Sequence, residues 1–411
     1  MRDGHYRDLI AAFQAGVQAA APDVALDRAL DERPVATPKG KRVILAVGKA
    51  AVPMARVAAR RLKPFHNLIL VTNPENATQV EDAELFAANH PVPDAVGLAA
   101  SARVIQSVRG LGASDQVLVL LSGGASALLP APKDGLTLAD KMAVNDVLLS
   151  SGLDITAMNL VRQSLSSLKG GGLLALAQPA DVRSFILSDV LGDDLRVVGS
   201  GPSIGPVGSP SQARALLKEK DLWSRLPVAA QEVLEAAKET PFALKPDAML
   251  IGSNGQSLLA MAQAVDATVS PVPLEGDVEQ AAIRVVQEAR DLAPEAVRAF
   301  GGETTVVLTG AGRGGRNQEL ALRVVRQAKA QGLSGNWTFL SGGTDGRDGP
   351  TDAAGAIVDQ NTLAQMTAAG IDLDAVLADN DSYPALAAIG ALLMTGGTGT
   401  NVADLQLMRR A

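Results

Sequence analysis

Four short apolar runs, RVILAVG (42–48), NLILVTN (67–73), DQVLVLLSGG (115–124) and VRSFILSDV (182–190), are separated by stretches with helical spacing. Strands rich in Val, Ile and Leu, with no polar alternation, are buried on both faces. The helices between them supply the crossovers that parallel strands require. The pattern predicts an α/β chain with a Rossmann-like parallel sheet. In such sheets ligands sit beyond the carboxyl ends of the strands. The loops at those ends are Gly48-Lys49, Ser122-Gly123-Gly124 and Ser188-Asp189.

The texture changes near residue 206, where GPVGSPSQ is rich in loop formers. A helical stretch, a Pro-containing join and the run AMLIGSN (248–254) follow. At 411 residues the chain is too long for one core. Two domains are expected: a Rossmann-like one over 1–235, and a smaller α/β domain with a mixed sheet over 236–411. The last two strand candidates flank Gly-Thr-Gly-Thr-Asn and read as a hairpin. Leu9, Ile10, Phe13 and Val17 fall at helical spacing, so the amino-terminal segment reads as an amphipathic helix, which could pack on the other domain. It does not read as a signal peptide, since Asp3 and Asp8 stand where positive charge belongs. No run reaches the ~18 apolar residues of a membrane span. A cytoplasmic location is expected, with small-molecule partners, neither nucleic acid nor membrane, and a homodimer left open.

Charge narrows the chemistry. A net charge of −7 argues against nucleic acid, which needs a basic face. The chain lacks cysteine, which excludes thiolate catalysis, Fe–S clusters and disulfides. Its three histidines, His5, His66 and His90, show no metal-ligand spacing. His90, in NHPVPD, reads as shaping a Pro-rich loop.

Glycine-rich turns are the next signal. Ser-Gly-Gly follows an apolar run twice, at 122–124 and 341–343. A glycine pair at a strand exit lets a ligand reach bare N–H groups, although Ser and Gly also make ordinary turns. A P-loop motif does not occur. Gly310, Gly312 and Gly315 match G-x-G-x-x-G, but Arg313 and Arg316 stand where a dinucleotide turn packs small residues, and no acidic residue follows at the needed distance. Two arginines on a glycine loop at a helix start read better as an anion site. Carboxylates and amides sit at other strand ends: Asp189, Asp193 and Asp194; Asn254; Glu303; Asp345, Asp348 and Asp352. Oxygen ligands of this kind, with phosphate and water, are what Mg²⁺ takes. The set is an inventory for phosphoryl transfer.

Several segments, AVGKAA, HPVPD, LLSGGASALLPAP, NLVRQSLSSLKGGGLL, SDVLGDD, IGSN, FGGETTV, GRGGRNQEL and LSGGTDGRDGPTDAAGAIVD, resemble the glycerate 2-kinase family, which ends in a MOFRL domain. The resemblance runs in order from about residue 5 to residue 405. It implies ATP- and Mg²⁺-dependent phosphorylation of D-glycerate to 2-phosphoglycerate in a cleft between two α/β domains. Some members were first described as hydroxypyruvate reductases, so an NAD(P)H-dependent reductase is the alternative, and a non-catalytic binder of sugar acid or nucleotide a third. The resemblance also implies that Lys49 and Arg316 are the functional cations. On this reading Ser122, Gly123, Gly124, Ala125, Ser126 and Lys169 hold nucleotide or phosphate. Arg313, Asn317, Asn254 and Asp345 are expected at the substrate, and Asp189 and Glu303 at the metal. The second Ser-Gly-Gly (Ser341 to Thr344) is expected to face the same cleft. Alanine at Lys49 or Arg316 is expected to lower kcat by about a hundredfold or more, with thermal midpoints near wild type.

Overall fold

The computed structural model describes residues 2–239 and 241–411. The chain divides into two compact units: Ala25–Ile251, and Gly252–Ala411 joined by the residues up to Val24.

The first unit is built on a six-stranded sheet. Its strands are β1 (Arg42–Val47), β2 (Asn67–Thr72), β3 (Ala83–Ala87), β4 (Gln116–Leu121), β5 (Asp181–Leu187) and β6 (Asp247–Gly252). Their spatial order is β3-β2-β1-β4-β5-β6. The pairs among β1 to β5 are parallel. Val43, Leu45, Val117, Val119 and Ile186 are buried on one face with Val104 and Leu173 of the covering helices. Chain order runs outward in both directions from the centre, because β1 leads to β2 on one side while β4 leads to β5 on the other. The carboxyl ends of β1 and β4 therefore flank a topological switch point, where a crevice opens in such sheets.

Two elements differ from the sequence expectation. The edge strand β3 carries only the short run AELFA, with an exposed Glu84, and leaves no apolar signal. The run read as opening the second domain is β6, the sixth strand of this first sheet. Arg183 on β5 holds it through Asp247 at 3.0 Å. The loop-rich texture near 206 only introduces helices Pro210–Glu219 and Val228–Ala236, which share a separate apolar cluster with helix Ile155–Ser164.

The second unit carries a mixed sheet, as predicted. Its strands are β7 (Thr268–Val269), β8 (Leu274–Asp277), β9 (Val297–Thr305), β10 (Trp337–Gly343), β11 (Gly355–Asp359), β12 (Leu392–Leu393) and β13 (Asp404–Arg410). The order is β12-β11-β10-β13-β9-β7, with β8 paired to β9. Alternation sorts the side chains. Phe300, Phe339 and Met408 face helices Val278–Arg290 and Arg316–Ala330. Leu340, Leu405 and Leu407 face helices Arg2–Ala19 and Asn254–Ala264 through Leu9, Phe13 and Met261. The expected hairpin is absent: β12 and β13 are separated by β11 and β10. The Gly-Thr-rich link folds instead onto the turn after β10, where the Thr398 hydroxyl donates to the Thr344 carbonyl. Among the described residues no single helix is long and apolar enough to cross a membrane.

Candidate active site

The switch point brings together residues far apart in sequence. Val47 at the end of β1 lies beside Leu121 at the end of β4. The two exit loops are then tied to each other. The Lys49 N–H donates to the Gly123 carbonyl at 2.9 Å, and the Ser122 N–H to the Val47 carbonyl at 2.9 Å. Ser122 Oγ accepts the Ala50 N–H at 3.1 Å. Ser122 thus acts first as a clamp between loops.

Its two glycines answer to close neighbours. A Cβ on Gly123 would lie 2.0 Å from Asp189 Oδ2. Gly124 has φ +84°, and a Cβ there would lie 3.1 Å from Lys49 Cγ and 3.2 Å from His90 Cδ2. Lys49, His90 and Asp189 therefore surround one turn. The N–H groups of Gly123, Gly124, Ala125 and Ser126 have no partner among the described residues. Lys49 makes no ion pair among the described residues. Burial pushes the Asp189 carboxyl up, against its own N–H and Lys49. Burial and then Lys49 push the His90 imidazole down, against Glu75.

Lys169 joins the same turn from below. Its buried Nζ donates to the Ser126 carbonyl at 2.8 Å. Ser126 Oγ is 2.9 Å from Ser200 Oγ. Sequence reasoning thus named eight residues that lie together here, from Lys49 to Asp189. It set His90 aside. Although His90 opens the HPVPD segment, the sequence assigns it no partner, and only the fold reveals what it faces.

In the second unit the predicted residues have other duties. Arg316 opens helix Arg316–Ala330, and its guanidinium takes both oxygens of Asp404, Nε–Oδ2 at 2.6 Å and Nη2–Oδ1 at 2.9 Å. Nη1 pairs with Glu303 Oε1 at 2.7 Å. Asp404 is buried, with its side chain 1% exposed. Arg316 is therefore a neutralised hub. Glu303 is one of its partners, and among the described residues no group of three potential metal ligands occurs. Around Arg313 and Arg316, read from the sequence as an anion site, protein groups take the donors in this structure. The N–H groups of Thr309 and Gly310 donate to Asn380, that of Ala311 to Asp379 and that of Arg313 to Asp381. Those of Asn317 and Gln318 donate to the two oxygens of Asp348. The Arg313 guanidinium stacks on Tyr383, 4.4 Å from the ring centroid.

The remaining predicted groups are likewise committed. Asn317 Oδ1 accepts the Ser341 hydroxyl at 2.6 Å. The Asn254 amide donates to the Val402 and Asp404 carbonyls at 2.8 and 2.9 Å. Asp345 accepts the Arg347 N–H. The second Ser-Gly-Gly is the end of β10 and not a strand exit. A Cβ on its Gly342 would lie 2.9 Å from the Phe13 ring, so this glycine admits the amino-terminal helix to the sheet.

Two segments of the chain match known families. Residues 8–235 match a domain of unknown function (DUF4147), and residues 296–404 match the MOFRL family. A protein of Agrobacterium vitis, provisionally named a hydroxypyruvate reductase, is 40% identical over 412 residues, spanning 96% of this chain and 92% of its own. The D-glycerate 2-kinase of Thermotoga maritima is 38% identical over 394 residues, spanning 92% of this chain and 93% of its own. The crystal structure of glycerate kinase from Thermotoga maritima shares the fold with a TM-score of 0.92 at 34% identity, over 100% of both chains. The chain belongs to the glycerate 2-kinase family. Within it, the DUF4147 segment holds the whole Lys49–His90–Asp189 turn, and the MOFRL segment holds the Arg316 hub.

Proposed function

We propose that this protein transfers the γ-phosphoryl group of ATP to the 2-hydroxyl of D-glycerate, releasing ADP and 2-phosphoglycerate. The observation that carries the reading is full-length likeness to glycerate kinase, joined to a switch-point turn with an unpaired lysine and free N–H groups. In the reaction the hydroxyl oxygen bonds to the γ-phosphorus, the bond to the bridging oxygen of ADP breaks, and the hydroxyl proton leaves. Charge develops on the phosphoryl oxygens, so fixed donors at that place lower the barrier. Lys49 supplies a full positive charge, and the N–H groups of Gly123 to Ser126 supply dipoles. His90, neutral near pH 7 because burial and Lys49 lower its pKa, can take the proton. Arg316 serves the same turnover if the half-exposed Glu303 yields its place to substrate.

Mg²⁺ fits the donors at this turn as a nucleotide-borne ion. It takes one or two carboxylates plus phosphate oxygens, and Asp189 offers one carboxylate beside Gly123. Bound there, it would neutralise phosphate charge. Glu303 suits the role poorly, being engaged by Arg316.

A reductase needs a dinucleotide turn. The G-x-G-x-x-G loop has spent its N–H groups on Asp379, Asn380 and Asp381, which would repel a pyrophosphate. The test is ADP release from ATP with D-glycerate, with the product assigned by ³¹P NMR. NADH oxidation by hydroxypyruvate with no ADP release would overturn the reading.

A further inference from the structure

Three cations in the first unit have no acidic partner. Lys141 lies on helix Leu138–Leu149, Arg162 on helix Ile155–Ser164, and Lys169 on the loop after it. Among the described residues none of the three forms an ion pair. Arg162 Nη2 is held by the neutral Asn145 Oδ1 at 2.5 Å. Lys169 Nζ is held by the Ser126 carbonyl. Lys141, Asn145, Arg162 and Ser166 line one cavity of about 20 Å³. Burial lowers the Arg162 guanidinium, and Arg162 in turn acts on both lysines. Burial and Arg162 push the Lys141 ammonium down to about 8, and burial, Lys141 and Arg162 push Lys169 well down.

Arg316, by contrast, is half-buried and has two carboxylate partners, Asp404 and Glu303. Lys169 is buried and Lys141 and Arg162 are half-buried, and holding three such cations without a carboxylate is costly unless an anion supplies the balance. We propose that Lys141, Arg162 and Lys169 bind the polyphosphate chain of the nucleotide, continuing the row of N–H donors at Gly123 to Ser126. This deepens the kinase reading and rests on it for the identity of the ligand. Two features select the ligand class. The Lys169–Ser126 contact makes the cations continuous with the turn, so an extended anion can touch both. The cavity beside Lys141 and Arg162 admits only the oxygens at the tip of an anion, so the rest of the ligand lies outside it. A single carboxylate would also leave most of the positive charge unbalanced.

The experiment titrates inorganic tripolyphosphate into the full chain by calorimetry and measures steady-state kinetics, for wild type, Lys141→Gln and Arg162→Gln. Tripolyphosphate should bind wild type and compete with ATP. Each substitution should weaken it, and raise KM for ATP, by about tenfold or more. KM for D-glycerate should stay within about threefold of wild type. Unchanged tripolyphosphate affinity in both variants, or a KM effect confined to D-glycerate, overturns the proposal. If Arg162→Gln fails to fold, the partly exposed Lys141→Gln decides. If wild type releases no ADP with D-glycerate, the kinase reading fails, while the tripolyphosphate titration still decides whether these cations bind a polyphosphate.

Discussion

Lys49 and Arg316 are both cations at the edge of a sheet, yet their surroundings make opposite demands. Lys49 has no ion-pair partner among the described residues, so removing it strands nothing. Lys49→Ala should lower kcat by about a hundredfold or more, as for loss of one transition-state donor, and leave the thermal midpoint near wild type. Arg316→Ala would leave Asp404 buried without its counter-charge. For this residue the structure therefore predicts a lowered midpoint, in place of the unchanged one expected from the sequence. A loss of about 3 kcal/mol should accompany any loss of turnover, and calorimetry beside kinetics separates the two. Arg316→Lys should recover little, because an ammonium cannot span both oxygens of Asp404. Asp348 adds a pH signature. Burial pushes its carboxyl up to about 6, and Asp404 adds to the rise, against the N–H groups of Gln318 and Asn317. Between about pH 4 and 6 the folded form holds a proton that the unfolded carboxyl has released, so stability falls as pH rises through that window. The lost amount is of order 2–3 kcal/mol. Asp348→Asn should thus cost less near pH 7.5 than at about pH 4.5, read from urea midpoints. An equal cost at both would mean that Asp348 titrates normally.

At the scale of the element, the first Ser-Gly-Gly turn and the end of β10 share a sequence but not a job. Gly123→Ala puts a methyl group into Asp189. It should cut turnover by about tenfold or more while the fold survives, since the turn is at a strand exit and can shift. Wild-type kinetics from that variant would make the turn a mere connector. Gly342→Ala puts a methyl group into the Phe13 ring inside a packed layer, and should cost about 1–3 kcal/mol of stability. The difference explains what could be read beforehand. The runs at β1, β2, β4 and β5 announce themselves because a strand buried on both faces must be apolar throughout. The turn after β4 follows from them, as ligands gather where strand order diverges. β3 was silent because an edge strand can be short and polar. The second Ser-Gly-Gly is ambiguous in sequence, because a glycine that admits a neighbouring ring looks the same as one that admits a ligand. Arg313 and Arg316 suggested an anion site, since Asp381 and Asp404, which engage them, lie 68 and 88 positions away in sequence. Lys141 and Arg162 sit on separate helices, and only the fold, in which neither forms an ion pair among the described residues, brings them to one cavity.

For the molecule as a whole, the proposed chemistry requires a divalent cation even though the described residues offer no three-ligand group. Turnover should fall to background in excess chelator and return with added Mg²⁺. Turnover that survives chelation would remove the metal from the reaction. The interleaving of the units has a consequence in time. Helix Arg2–Ala19 precedes the first unit in the chain, but helix Asn254–Ala264, on which it packs, is translated more than 200 residues later. At ordinary elongation rates that is a wait of roughly 10–50 s. During it the intervening segment can complete its own sheet, while Leu9 and Phe13 have nothing to cover them. A nascent chain halted at Ile251 should therefore lose its first helix rapidly to added protease and resist cleavage over the strands from β1 to β5. Protection of that helix in the halted chain would mean that something other than its final partner shelters it. The emerging protein thus carries a sticky leading end for most of its synthesis, which makes its yield sensitive to translation speed and to chaperones that hold apolar segments.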